Sequence, residues 1–298
     1  MDDARIFHVN VNCADLERSR AFYAGAFGLD AAVRTAPAEA QPGTAFGLAR
    51  AWWDAWILVG TNAFEGGAID LLEWREPRPV GAPPVSFLEC GFQRVGIGVP
   101  DLDAAIDRVG RLGGSVWSAP TEHALPDGRH VRLVMANDPD GTAIECIEGA
   151  ATRVSFVAVC CSDLEFSLAF YRALGFEERA RFASDTADAA HLHLPGPMGM
   201  DEIMLAAPGG GEVSLILVGF RVPHARTVPA RPANALGMWR TALLVRDLDA
   251  ACAELDALQI ATLAPIVEMQ MGPGLPALRF VCFRGPDQEV IELIEQPR

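Results

Sequence analysis

The chain reads as an α+β protein of four βαβββ modules that curl in pairs into two half-barrel, cup-shaped sheet domains. Two observations predict this. An apolar run followed by an acid-Leu pair and a helix-like stretch recurs four times, at Asp15-Leu16, Asp101-Leu102, Asp163-Leu164 and Asp247-Leu248. The copies also alternate. Phe22-Tyr23 with Phe27-Gly28 in the first matches Phe170-Tyr171 with Leu174-Gly175-Phe176 in the third. The second closes on Asp138-Pro139-Asp140-Gly141 before Ile144-Glu145, and the fourth on Gly285-Pro286-Asp287 before Ile291-Glu292. Internal self-similarity of this kind defines architecture ahead of any propensity argument.

In order along the chain, residues 6–11 alternate in polarity and predict a strand. Asp15 is placed to cap a helix, along which Leu16, Ser19, Arg20, Phe22 and Tyr23 fall at helical spacing, and Gly28 ends it. Shorter strand-like runs follow at 56–59 and 68–72. The second module repeats the plan with a strand at 95–99, a helix at 102–112 and strands at 132–135 and 143–147. Residues 154–159 and 241–245 open modules three and four. Proline-rich connectors at 77–84 and 223–232 separate the modules within each half.

The expected division is an N-terminal domain, 1–149, with modules 1–79 and 85–149, and a C-terminal domain, 151–298, with modules 151–222 and 233–298. Gly149-Ala150-Ala151 is the boundary. A single module has a helix on one face and bare sheet on the other, so two must pair to bury that face or enclose a cup. Pairing across halves, or across two chains as a homodimer, stays open from sequence and would change which residues share a cup.

Composition narrows the function. A net charge of −15 offers no basic surplus for a phosphate backbone, so nucleic acid is not an expected partner. All 24 basic residues are arginine, which removes Schiff-base chemistry at a lysine amine. The seven cysteines form no CxxC pair, and Cys146, Cys160 and Cys282 sit in apolar runs as small buried hydrophobes. No signal peptide or apolar span of membrane length is read, so a reducing cytoplasm is the expected location, without a membrane partner. Nucleotide-binding, zincin and hydrolase motifs are missing.

His8-Val9-Asn10-Val11 before Asp15-Leu16-Glu17-Arg18-Ser19, the Phe22-Tyr23 helix, and Asp138-Pro139-Asp140-Gly141 before Ile144-Glu145 resemble the vicinal oxygen chelate superfamily of glyoxalase I, extradiol dioxygenases and fosfomycin and bleomycin resistance proteins. The resemblance covers all four modules and implies a metal site on a concave sheet. Its ligands would come from the first strand, usually His, seven residues before the capping acid, and from the last strand, usually Glu. Those positions here hold His8, Arg94, Phe156 and Arg240, then Asp70, Glu145, Ser214 and Glu292.

With modules one and two paired, the first cup would present His8, Asp70, Arg94 and Glu145, and the second Phe156, Ser214, Arg240 and Glu292. Neither has two histidines, which disfavours a ring-cleaving dioxygenase. A guanidinium has no lone pair to give a cation. It suits an ion pair, Arg94 with Glu145 and Arg240 with Glu292. Three readings of the first cup remain. His8, Asp70 and Glu145 could accept a divalent ion. Asp70 could orient His8 as a general base while Arg94 holds an anionic oxygen. Or the four groups only neutralise one another. No metal or other cofactor is favoured.

Trp53 and Trp56, beside Trp52, are candidate ligand-stacking residues, with core packing as the plainer role; adjacent Trp52 and Trp53 cannot both face inward. Met200, with Met198, Met204, Met269 and Met271, is a candidate apolar lining at a cup mouth. His191 and His193 alternate as if on one strand face, while His123 and His130 flank a turn signal at Pro126-Asp127-Gly128. The leading expectation is a glyoxalase-like lyase or isomerase acting on a small carbonyl or enolisable substrate in the N-terminal cup, beside a degenerate C-terminal cup. The rival is a metal-free protein that binds and sequesters a hydrophobic small molecule, as bleomycin resistance proteins do.

Overall fold

The computed structural model describes residues 1–84, 86–124, 130–187, 191–221 and 224–296. The turn expected at Pro126-Asp127-Gly128 lies outside the described residues, as does Pro223 of the second connector. Module one comprises β1 (Arg5–Asn12), α1 (Leu16–Phe27), β2 (Asp30–Thr35), β3 (Gln41–Pro42), β4 (Arg50–Gly60) and β5 (Ala63–Glu76). Module two has β6 (Gly91–Val99), α2 (Leu102–Arg111), β7 (Ser115–Val116), β8 (Thr121–Ala124), β9 (His130–Asn137) and β10 (Ala143–Glu148). Module three has β11 (Arg153–Cys161), α3 (Leu164–Ala173), β12 (Glu177–Ala187), β13 (Met198–Ala206) and β14 (Ser214–Phe220). Module four has β15 (Gly237–Val245), α4 (Leu248–Ala257), β16 (Val267–Gln270), β17 (Ala277–Arg284) and β18 (Val290–Glu295).

All four helices begin at the expected acids. The carboxylates of Asp15, Asp101, Asp163 and Asp247 accept the backbone N–H three residues on, at 2.9–3.0 Å. Each satisfies a donor that the first helical turn leaves open, worth about 1 kcal/mol. Gly28 closes α1 at φ 77°, a left-handed conformation that costs glycine little.

The strands form two curled sheets, and their order corrects the expected pairing. One runs β16-β17-β18-β15-β1-β5-β4-β2 with β3 on β4, and the other β12-β13-β14-β11-β6-β10-β9-β7 with β8 on β9. Module one therefore pairs with module four, and module two with module three. The seams are antiparallel, β1 on β15 and β6 on β11. Each opening strand takes its own module's last strand in parallel on one side, which leaves the other edge for a partner module. Local periodicity defines that free edge but not which of the other three edges meets it.

Modules within a half are joined differently. The Tyr23 hydroxyl of α1 donates to Asp138 in the turn before β10 at 3.1 Å, and the Tyr171 hydroxyl of α3 donates to Glu289 before β18 at 2.7 Å. The proline-rich connectors run side by side, with Val80 N–H donating to the Asn234 carbonyl and Leu236 N–H to that of Val80, both at 3.0 Å.

Both faces of the central strands are buried. Val9, Val11, Ile69, Leu71, Leu243 and Leu293 face the helices, in a core that also takes Val95, Val157 and Leu217 from the other sheet. The alternate positions line the two concave faces. The module one–four face gathers Phe46, Trp53, Leu72, Trp74, Phe280 and Ile294. The module two–three face is filled by Phe87, Met135, Phe156, Leu192, Leu194 and Phe220.

Candidate binding cup

His8 and Asp70 stand on the parallel pair β1 and β5, Arg240 and Glu292 on the equivalent pair β15 and β18. Antiparallel pairing of β1 with β15 brings the four together at the base of one cup. Arg240 Nε donates to Glu292 Oε2 at 2.8 Å, and Arg240 Nη2 to Asp70 Oδ2 at 2.6 Å. Asn10 Nδ2 donates to the same Asp70 oxygen at 3.2 Å. His8 Nε2 lies 3.8 Å from Asp70 Oδ2 and 3.6 Å from Glu292 Oε2, within ion-pair range but beyond a good hydrogen bond.

The cluster is strongly buried, and burial sets its electrostatics. Loss of solvent alone would raise the Glu292 carboxyl, but Arg240 and then His8 outweigh that and hold it below its usual range. Burial likewise opposes charge on Arg240, and Glu292 with Asp70 more than reverses the effect, so the guanidinium stays charged.

Above this floor is a cavity of about 460 Å³. Phe7, Phe46, Trp53, Phe64, Trp74 and Phe280 supply aromatic wall, and Leu72, Leu244, Leu278 and Ile294 aliphatic wall. Phe46 stacks on Phe280, 5.5 Å between centroids, and meets Trp74 edge-on. The wall indoles are already engaged: Trp53 Nε1 donates to Thr35 Oγ1 and Trp74 Nε1 to Asn12 Oδ1, each at 3.1 Å. They show the cavity carbon rather than donors.

The divalent ion implied by the resemblance does not fit these four side chains. Arg240 occupies one of the four matched positions, reaches both carboxylates, and has no lone pair to offer. An ion there would have to displace it and strand its charge. Among the described residues, no group of three or more His, Cys, Asp or Glu side chains is arranged to hold a metal.

The second cup is closed by the same residue type. Arg94 Nε donates to Glu145 Oε2 at 2.5 Å and Nη2 to Glu202 Oε1 at 2.6 Å, while Nη1 donates to Gln93. The guanidinium lies 5.4 Å from the Phe156 ring centroid.

A family model described as the glyoxalase/bleomycin resistance protein/dioxygenase superfamily matches residues 5–146 and again 153–293. The chain belongs to that superfamily. Glyoxalase I from Zea mays is similar in fold, with a TM-score of 0.68 at 19% identity over 98% of this chain and 92% of that one. A proposed dioxygenase from Bacillus subtilis subsp. subtilis str. 168 gives a TM-score of 0.62 at 13% identity over 99% and 86%. A search of curated proteins returns no match. At these identities the likeness is one of superfamily fold.

The structure regroups the residues singled out from sequence. His8 and Asp70 share a cup, but Arg94 and Glu145 stand in the other sheet, so neither the set His8, Asp70, Arg94 and Glu145 nor the metal set His8, Asp70 and Glu145 is assembled. Arg240 and Glu292 take those places. Trp53 lines the cavity. Trp56 points to the opposite face, where its indole donates to Glu17 at 3.3 Å under Arg34. Trp52 is turned outward. Met200 packs in the second cup, because β13 belongs to module three; Met271 borders the first. His191 and His193 lie in a turn, not a strand, with His193 stacked on Trp117 at 4.2 Å.

Sequence reasoning missed Phe46, Trp74 and Phe280. Trp74 was open to discovery, since Asp70, Leu72 and Trp74 alternate on one strand and share its inward face. Phe46 sits in a short 3-10 turn with no periodicity to place it.

Proposed function

We propose that the module one–four cup is a metal-independent binding site for a small, largely apolar organic molecule. One observation carries this: a cavity of about 460 Å³, walled by aromatic and aliphatic side chains, over a floor where Arg240 already bridges Asp70 and Glu292. Its volume lies within the range of small-molecule sites, which are mostly apolar with few polar groups. A bulky side chain at the mouth tests it. Leu278→Trp should occupy the cavity and leave the fold intact. A neutral polycyclic dye should bind the wild type with a fluorescence rise that EDTA does not alter, and should not bind the variant. Equal binding by both proteins would move the site elsewhere.

A second reading is favoured by Glu292. Its carboxyl is held ionised, and Oε1 takes no hydrogen bond from the described residues. That equips Glu292, rather than His8, to accept a proton from a carbon acid in the cup, as a glyoxalase-like lyase or isomerase would require. Both ring nitrogens of His8 are sealed from solvent, which leaves Glu292 Oε1 the more accessible acceptor. Exchange of a substrate α-proton with solvent deuterium, catalysed by wild type and lost in Glu292→Gln, selects this reading. Exchange that survives Glu292→Gln removes Glu292 from the chemistry.

A further inference from the structure

We infer that the ligand of the module one–four cup is an organic cation, a substituted amine or ammonium with an apolar body. This rests on the binding reading above and names the substrate class. The floor sets one guanidinium against two carboxylates, so with His8 neutral it carries one surplus negative charge. With His8 protonated the floor is balanced. In neither state does an anion meet surplus positive charge.

Orientation points the same way. The three nitrogens of the cluster without a hydrogen bond, His8 Nδ1, His8 Nε2 and Arg240 Nη1, are all sealed from solvent. Asp70 Oδ1 and Glu292 Oε1 take no hydrogen bond from the described residues, and neither is among the sealed atoms. Asp70 and Glu292 are each 3% exposed and both border the cavity. The open polar atoms of the floor are therefore acceptors. Aromatic walls whose indole donors are spent add π faces, which attract cations and are more effective where water is excluded. The chain's net charge of −15 also raises the local concentration of cations.

A matched series tests the sign of the charge. Phenyltrimethylammonium, tert-butylbenzene and benzenesulfonate share a phenyl ring and a tetrahedral head of positive, zero and negative charge. Titrations followed by tryptophan fluorescence, through Trp53 and Trp74, should show the ammonium binding about tenfold or more tighter than the hydrocarbon. The sulfonate should not saturate. Asp70→Asn should weaken the ammonium about tenfold and leave the hydrocarbon unchanged; Glu292→Gln serves if that variant does not fold. Binding of the hydrocarbon or sulfonate as tightly as the ammonium overturns the proposal. So does a folded Asp70→Asn or Glu292→Gln with unchanged ammonium affinity. If none of the series saturates but the neutral polycyclic dye binds, the cation assignment falls and the binding reading stands; if the dye also fails, both fall.

Discussion

Arg240 and Asp70, 170 residues apart in the chain, meet at 2.6 Å because the opening strands of modules one and four are paired along one seam. The contact ties the two ends of the protein together at the base of its cavity. It also makes Arg240 the sole cation bonded to both Asp70 and Glu292 among the described residues.

Removing that cation should be costly. Arg240→Met takes the guanidinium from two buried carboxylates and should lower unfolding stability by about 3–5 kcal/mol. Changing Arg240 and Glu292 together to Met removes one of those charges with its partner and should cost less than the single change. Urea unfolding of the three proteins measures both. A double variant less stable than Arg240→Met would show that the pair does not compensate its own burial.

The seams make a second prediction, about fragments. Each nine-stranded sheet takes five strands from the N-terminal half and four from the C-terminal half, so 1–149 or 151–298 alone exposes the free edges of two opening strands. Bare apolar edges associate. Isolated halves should aggregate or self-pair, whereas coexpressed halves should co-purify as a one-to-one complex with the far-ultraviolet circular dichroism of the intact chain. Two halves that each give a stable monomer would contradict the topology.

These cases mark what the sequence could disclose. Strands, helices and caps were legible because each depends on neighbours a few residues away: Asp15 caps its own helix, and His8 is placed by the same offset as Arg240. The substitution of a guanidinium for a metal ligand was legible too, as were its ion pairs to Glu145 and Glu292. The composition of each cup was not, since it depends on which strand edges meet across 233 residues, as in the bond from Thr241 Oγ1 to the His8 carbonyl. Phe46 was illegible for a related reason: a short turn buries its ring only after the sheet has curled around it.

The latches within each half predict a pH dependence. Burial pushes the Asp138 carboxyl up to about 6 and that of Glu289 up to about 7. The Tyr23 and Tyr171 hydroxyls, pushed up chiefly by burial, remain protonated donors. A carboxyl whose folded value is raised favours the folded state when protonated. That contribution is complete below the ordinary carboxyl value and is lost as pH rises through the folded value. For Glu289 it is on the order of 3 kcal/mol between the two limits. Asp54 and Glu292 are shifted down and stay ionised across this window. The melting temperature should therefore fall from pH 5 to pH 8, and Glu289→Gln should flatten the slope. A melting temperature that rises over this range in the wild type would reverse the sign and refute the account.

The last prediction concerns why this member of the superfamily should bind no metal in its open cup. His8 Nε2 stands 3.8 Å from Asp70 Oδ2 and 3.6 Å from Glu292 Oε2. Ligands held about 2.1 Å from a tetrahedral ion lie roughly 3.4 Å apart, so each His8–carboxylate separation is close to that of a ligand pair. The fourth matched position holds Arg240, which engages both carboxylates. Arg240→His supplies an imidazole there and releases both carboxylates, and it should take up one equivalent of zinc by calorimetry and elemental analysis. The wild type should take up none. Arg94→His provides the control, because the matched positions of the second cup hold Glu145, Phe156 and Ser214, with Glu202 beside them and no histidine among the four, and it should stay metal-free. Stoichiometric zinc in the wild-type protein, lost on His8→Ala, would show that Arg240 yields its place and that the donor set had been misjudged.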